Sequence, residues 1–363
     1  MARAARSEEE RGAADAIPGV APPRETTTLV GQEAAERTLL DAYRSGRMHH
    51  GWIFAGERGI GKATLAFRLA RYVFVNPDPD AAEVRAAGDL SVPPEHPAAR
   101  RLAVGVHANL LHLQREWDDK SKRFKSELSI DSVRRITRFL GTTAGEGGWR
   151  VVIIDPADDM SLSAANAILK NLEEPPRRTL FILIARSRGA LLPTILSRCR
   201  GLDLWPLSVA DTEAVVRNVA SGVAKPSEQK LSAALAGGSP RRLIEIVQND
   251  GAALYRLLLE AIERGDPRAQ LKISSMAMDA ASTEQFLELY RGYLARRVRG
   301  LPEPSPEAKP PAAPLVTWAE LWDKATLSGR DVETYNLDRR QFVLETLEAT
   351  TTALGQPGHL DNR

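Results

Sequence analysis

The chain has 363 residues, 43% of them hydrophobic and 26% charged, with 49 basic side chains against 47 acidic ones. This is globular composition, long enough for two to three domains, and the near balance of charge excludes an overall basic coat, so any attraction to nucleic acid must come from local clusters. No apolar run approaches the roughly 18 residues that span a bilayer, and a lone cysteine, Cys199, excludes an intrachain disulfide and a thiolate zinc cluster.

In chain order, residues 1–26 mix charge with Ala, Gly and Pro and have no hydrophobic period or apolar signal core. A disordered tail is expected there, and a cytoplasmic protein with no membrane contact. From 27 to 205 short apolar runs alternate with helix-period segments. Residues 52–55, 110–113, 151–154 and 180–184 read as buried strands. Between them Leu65, Leu69 and Val73 recur at helical spacing, as do Ile130, Val133 and Ile136, and Leu162, Ala165, Leu169 and Leu172. That alternation implies right-handed crossovers and a mostly parallel sheet covered by helices, an α/β fold. Residues 76–106, rich in Pro, Ala and Asp, read as an irregular insertion. After Pro206 the strand signals stop. Three short helical segments, 211–220, 228–236 and 241–247, suggest a small helical domain over 206–250. From 251 to 363 the pattern stays helical, broken by a Pro-rich linker at 301–314.

The segment 56–64, Gly-Glu-Arg-Gly-Ile-Gly-Lys-Ala-Thr, follows a predicted strand and opens a predicted helix, the context a phosphate-cradling loop requires. Gly56, Gly59 and Gly61 allow the backbone to turn its N–H groups inward, and Lys62 supplies a point charge. Ala63 stands where a metal-binding hydroxyl belongs, and Thr64 lies about 100° further round the helix. The strand ending in Asp155 is followed by Pro156, where a glutamate would activate water; Asp158 comes three residues later. A bare strand-to-helix turn, nucleotide binding without turnover, and hydrolysis are the open readings. Two separate defects, one at the metal and one at the water, weigh against hydrolysis.

Other candidate groups are weaker. Cys199 reads as a small apolar side chain. His96, His107 and His112 lack ligand spacing, so no zinc is expected. The basic run 120–125, with Trp117 before it, reads either as a solvated loop or as a phosphate-backbone contact.

The string 163–176, Ser-Ala-Ala-Asn-Ala-Ile-Leu-Lys-Asn-Leu-Glu-Glu-Pro-Pro, together with 193–199, Pro-Thr-Ile-Leu-Ser-Arg-Cys, and His49-His50-Gly51, resembles clamp-loader subunits of the AAA+ class. Lost metal and glutamate positions beside an intact Ser-Arg-Cys make the chain most similar to the delta-prime family of bacterial DNA polymerase III. The resemblance is strong over about 29–204. It implies a P-loop AAA+ domain at 27–205, a helical lid at 206–250 and an all-helical collar domain at 251–363. By the same resemblance, Arg198 reaches in trans to ATP on a neighbouring gamma or tau subunit. It further implies a hetero-pentamer with the delta subunit that loads the beta sliding clamp at primer-template DNA, as part of a nucleotidyltransferase holoenzyme. ATP or ADP would be held by this chain without turnover. Arg241, in Gly-Ser-Pro-Arg, matches a nucleotide-sensing arginine, although a solvated pair with Arg242 reads equally well. The zinc-binding cysteines of many family members have no counterpart in 76–106.

Overall fold

Alternating side chains on one pleated layer build two cores at once in the first part of the molecule. In strand β1 (Gly51–Ala55), Trp52 and Phe54 face one side and Ile53 and Ala55 the other, and all four are buried. The same split occurs in β5 (Arg150–Ile154) and β6 (Thr179–Ala185), where continuous apolar runs are needed because helices cover both faces. The sheet is wholly parallel, in the order β2 (Leu110–Leu113), β5, β6, β1, β7 (Arg200–Asp203), with Gly51 opposite Phe181 and Leu110 opposite Val151.

On the Trp52 face lie α1 (Glu33–Arg44) and α2 (Lys62–Val75), contributing Leu39, Tyr43, Leu65, Leu69 and Val73. On the Ile53 face lie α5 (Ile130–Gly141), α6 (Leu162–Glu173) and the single turn α7 (Pro193–Leu196). Ser161 caps α6 by accepting from the Ala164 N–H. Leu162, grouped by its spacing with the buried positions of that helix, is instead exposed. This is the parallel sheet covered by helices on both faces that the alternation of apolar runs predicts.

The described residues are 13–121, 123–141, 148–220, 229–277, 279–305, 308, 311–335 and 338–355 of the computed structural model. Residues 1–12 of the expected tail, Lys122 of the basic run and 306, 307, 309 and 310 of the linker lie outside them. Contacts divide the chain into one unit of residues 1–221 with 238–241 and a second of 222–237 with 242–363. The segment expected as a lid, 206–250, is therefore shared between the two units.

Two expectations change in the first unit. Residues 13–26, read as disordered, are held: Arg71 Nη2 donates to the Arg24 carbonyl at 2.7 Å, and Arg24 Nε donates to the Ala103 carbonyl at 3.1 Å. The reason is that Arg68 and Arg71 are buried on α2 and need acceptors, which this segment's carbonyls supply. Likewise 76–106 is not irregular. It forms α3 (Ala82–Ala86) and α4 (Pro97–Ala103), the latter capped by His96 with Pro97 in its first turn, and sinks Val84, Leu90 and Leu102 into the core. A hairpin of β3 (Trp117–Asp118) and β4 (Arg123–Phe124) completes this unit's strands, with its two rings edge to face at 5.2 Å.

Helix α8 (Val209–Val219) belongs to the first unit, and α9 (Gln229–Ala236) to the second. Helix α10 (Pro240–Gln248) starts in the first unit and runs on in the second. The second unit continues through α11 (Gly251–Glu263), α12 (Pro267–Met276), α13 (Ala280–Arg299), α14 (Leu315–Tyr335) and α15 (Arg339–Ala353). Its core is aromatic: Tyr255, Phe286, Tyr290 and Tyr293 are all buried, and Tyr290 meets Thr350 through a 2.5 Å hydrogen bond.

Candidate functional site

The central strand β1 delivers the glycine loop to the C-terminal edge of the sheet, and α2 carries it away. Gly56, Gly59 and Gly61 all have positive φ, and Gly61 is the left-handed N-cap of α2. Gly59 has the sharpest requirement. A Cβ there would lie 2.3 Å from the Arg241 Cβ and 2.5 Å from the Ser239 Oγ, so residues 239–241 pack directly on the loop. Ser239 Oγ donates to the Arg58 carbonyl at 2.8 Å, and the Arg241 N–H approaches the Gly59 carbonyl at 3.5 Å.

Lys62 is 7% exposed, and its Nζ donates to the Gly56 and Glu57 carbonyls, both at 2.6 Å. The ammonium is thus folded back onto its own loop. Burial pushes its pKa down to about 8, opposed by the nearby carboxylates of Asp155 and Asp158. Burial also pushes Asp155, at the end of β5, up to about 7, with Asp15 adding to the rise and Lys62 opposing it.

Ala63 packs against the core, and Thr64 is half-buried on the first turn of α2. Pro156 follows Asp155 with no acid group. Asp158, which could stand in for the missing glutamate, is committed elsewhere: its Oδ2 accepts from Arg186 Nε at 2.6 Å, and its side chain is only 2% exposed. Arg186 also reaches Asp159 at 3.3 Å, and Asp159 in turn lies 3.5 Å from Arg115 Nε.

The structure therefore brings together Gly56, Gly59, Gly61, Lys62, Asp155 and Arg241, with Thr64 on the adjoining turn. Their cationic and glycine content suits a phosphate chain, with Lys62 and Arg241 as the charges that would hold it. Arg241 currently donates from Nη1 to the Asp15 carbonyl at 2.5 Å. Arg115 and Asp15 escaped the sequence reading. Arg115 follows the end of β2, a usable signal, whereas Asp15 sits in a segment with no pattern at all.

Arg198 has separate neighbours. Its Nε and Nη2 donate to Glu173 Oε1 at 2.9 and 2.5 Å, and its Nη1 donates to the Thr194 carbonyl at 2.8 Å and the Ser197 Oγ at 3.1 Å. The side chain is 31% exposed, so the fork lies at the surface of the first unit. Beside it Cys199 packs over the start of β1: a Cβ on Gly51 would come within 2.8 Å of its Sγ. Burial pushes the thiol pKa up to about 12, which removes it as a nucleophile.

The basic hairpin is partly neutralised by acids of its own unit. Lys125 pairs with Glu116 at 2.9 Å, and the backbone of Lys120 donates to Asp118. Among the described residues no group of three His, Cys, Asp or Glu side chains is placed to hold a metal ion, and no helix is long and apolar enough to cross a membrane.

Residues 31–208 match the family described as DNA polymerase III, delta subunit. A relative in Pseudomonas aeruginosa, the DNA polymerase III subunit delta', is 37% identical over 192 residues, 53% of each chain. The subunit delta' of Escherichia coli is 30% identical over 230 residues, covering 63% of this chain and 64% of the relative. The tau subunit of Escherichia coli is 25% identical over 270 residues, 74% of this chain and 38% of that one. The chain spans about half to two-thirds of the length of the two delta' relatives.

Proposed function

Over residues 31–208 the chain belongs to the delta-prime family of DNA polymerase III subunits, and from that premise we propose that it is a non-hydrolysing clamp-loader subunit that lends Arg198 to a neighbour's nucleotide. In this reading it stands beside a gamma or tau subunit and the delta subunit in a hetero-pentamer. The assembly opens the beta sliding clamp and closes it on primer-template DNA. ATP or ADP bound at Lys62 is held and not turned over.

One observation carries the reading: the Arg198 guanidinium lies at the surface, fastened to Glu173 and to groups of its own turn, while the chain's own site has Ala63 in the hydroxyl position of the glycine loop and Pro156 in the glutamate position after β5. An arginine is suited to the trans role because its planar, permanently charged fork can meet charge spreading over phosphoryl oxygens. To do so it exchanges Glu173 for a γ-phosphate. That exchange gives the neighbour's ATP state a contact its ADP state lacks, which is the differential interaction needed to bias a ring between two conformations. A bound nucleotide would bring the negative phosphate chain and, through its magnesium ion, Lewis-acid chemistry. What this chain supplies is Lys62 and Arg241 as counter-charges and no base.

Arg198→Ala, assembled with gamma or tau and delta, tests the proposal. Turnover at the facing site should fall roughly 10³-fold or more, leaving the assembly with the rate of its other sites. Unchanged turnover, or Mg²⁺-dependent hydrolysis by the purified chain alone, overturns the reading.

A further inference from the structure

Asp15 sits where an incoming anion would sit. Its Oδ1 lies 2.9 Å from Arg58 Nη2 in the glycine loop and 3.8 Å from Arg115 Nη2 beyond β2. Its carbonyl oxygen accepts from Arg241 Nη1 at 2.5 Å. Three guanidiniums from three separate parts of the chain thus converge on one residue of a segment whose composition gives it no reason to fold. The same carboxylate is near enough to Asp155 to be the leading charge raising its pKa.

The segment behind Asp15 is fastened as well. Arg68 Nη1 donates to the Thr27 carbonyl, Arg71 Nη2 to the Arg24 carbonyl at 2.7 Å, and Arg24 Nε to the Ala103 carbonyl at 3.1 Å. Arg68 and Arg71 are buried, so this anchor is fixed on α2. The bonds of Arg68 and Arg71 to this segment fall at Arg24, Thr26 and Thr27, so residues 13–23 can leave without breaking them. A carboxylate and a phosphate are both acceptor-only anions that guanidinium forks bind well, and two such anions in one cluster repel each other.

We propose that Arg58, Arg115 and Arg241 form an anion cradle beside the glycine loop, that Asp15 is its internal ligand, and that the phosphate chain of a nucleoside triphosphate must displace the Asp15 segment to bind. The cradle and its internal ligand stand on the contacts alone; the identity of the incoming anion rests on the nucleotide-holding part of the proposed function. If the cradle is open only a tenth of the time, the apparent dissociation constant is raised about tenfold. Removing the Asp15 charge should recover that factor.

The test uses the full chain, with Asp15→Ala and Asp15→Asn variants, in binding titrations with ATP, and amide hydrogen exchange on the same proteins. Asp15 is partly exposed, so neither change should disturb folding, which a thermal melt checks. The expected result is roughly tenfold tighter ATP binding by Asp15→Ala, weaker binding by Asp15→Ala with Arg115→Ala added, and faster exchange at 13–27 in the Asp15 variants. Equal ATP affinity in wild type and Asp15→Ala, with Lys62→Ala abolishing binding in both, overturns displacement while leaving nucleotide holding intact. If no protein binds ATP, nucleotide holding fails and exchange decides the rest: faster exchange at 13–27 and 56–62 in Asp15→Ala supports the cradle, and unchanged exchange overturns it.

Discussion

Asp155 concentrates the conflict between folding and binding in this site. Burial lifts its pKa from an ordinary 3.8 to about 7, so the folded chain holds a proton there that the unfolded chain has already released. More protons bound in the folded state means that this group's contribution to stability is present below about pH 4 and declines as pH rises toward 7. Asp155→Asn keeps the shape and removes the titration. In urea melts the variant should gain on wild type steadily from pH 4.5 to pH 7.5, and a difference that stays flat with pH would show that the carboxyl ionises normally. Lys62 opposes Asp155 only in part, since its ammonium is already bonded to the Gly56 and Glu57 carbonyls. Arg198 differs from both in being held at the surface by Glu173, so it can be exchanged at small cost, because exposed pairs contribute only about 0–1 kcal/mol.

At the scale of elements, α2 is the beam on which the site is mounted, and its position is set by a buried ion pair to α1. Arg68 Nε lies 2.6 Å from Glu36 Oε1 with both side chains under 9% exposed, and the same oxygen accepts from the Leu90 N–H. Replacing Glu36 by Ala takes the nearest carboxylate from a buried guanidinium, which keeps only the Thr27 carbonyl, Ser91 Oγ and Asp89 at 4.0 Å, and removes the acceptor of the Leu90 amide, which should cost about 3–5 kcal/mol in chemical denaturation. A loss below about 1 kcal/mol would mean that water reaches Arg68. The contact between 239–241 and the glycine loop is equally direct. Gly59→Ala must push Ser239 and Arg241 away while holding a φ of +81°, so a melting-temperature drop of several degrees and loss of the Arg241 contact are expected. A variant that melts like wild type would show that 238–241 can detach freely.

The whole molecule consists of two units with cores of different kinds, one a sheet between helices and the other an aromatic helical packing. Leu294, fully buried on α13, tests their separateness: Leu294→Ala should cost roughly 2–5 kcal/mol and raise hydrogen exchange in α11, α13 and α14 while β1, β5 and β6 keep their protection. Equal loss of protection in the strands would mean that the chain unfolds as one body. By themselves the residues determined the parallel sheet, because β1, β5 and β6 are buried on both faces and a continuous apolar run is the physical signature of that burial. They also determined the glycine loop, its two missing chemical groups and the Ser-Arg-Cys turn, which are local strings read in order. Tertiary structure alone decided the rest. β7, Arg-Gly-Leu-Asp, is an edge strand with one buried apolar side chain and so has no pattern to read. The short helices at 82–86 and 97–103 owe their place to the hydrophobic cluster that receives Val84, Leu90 and Leu102. Asp15 meets Arg58, Arg115 and Arg241 across up to 226 positions of chain, a convergence of charges that no local periodicity encodes.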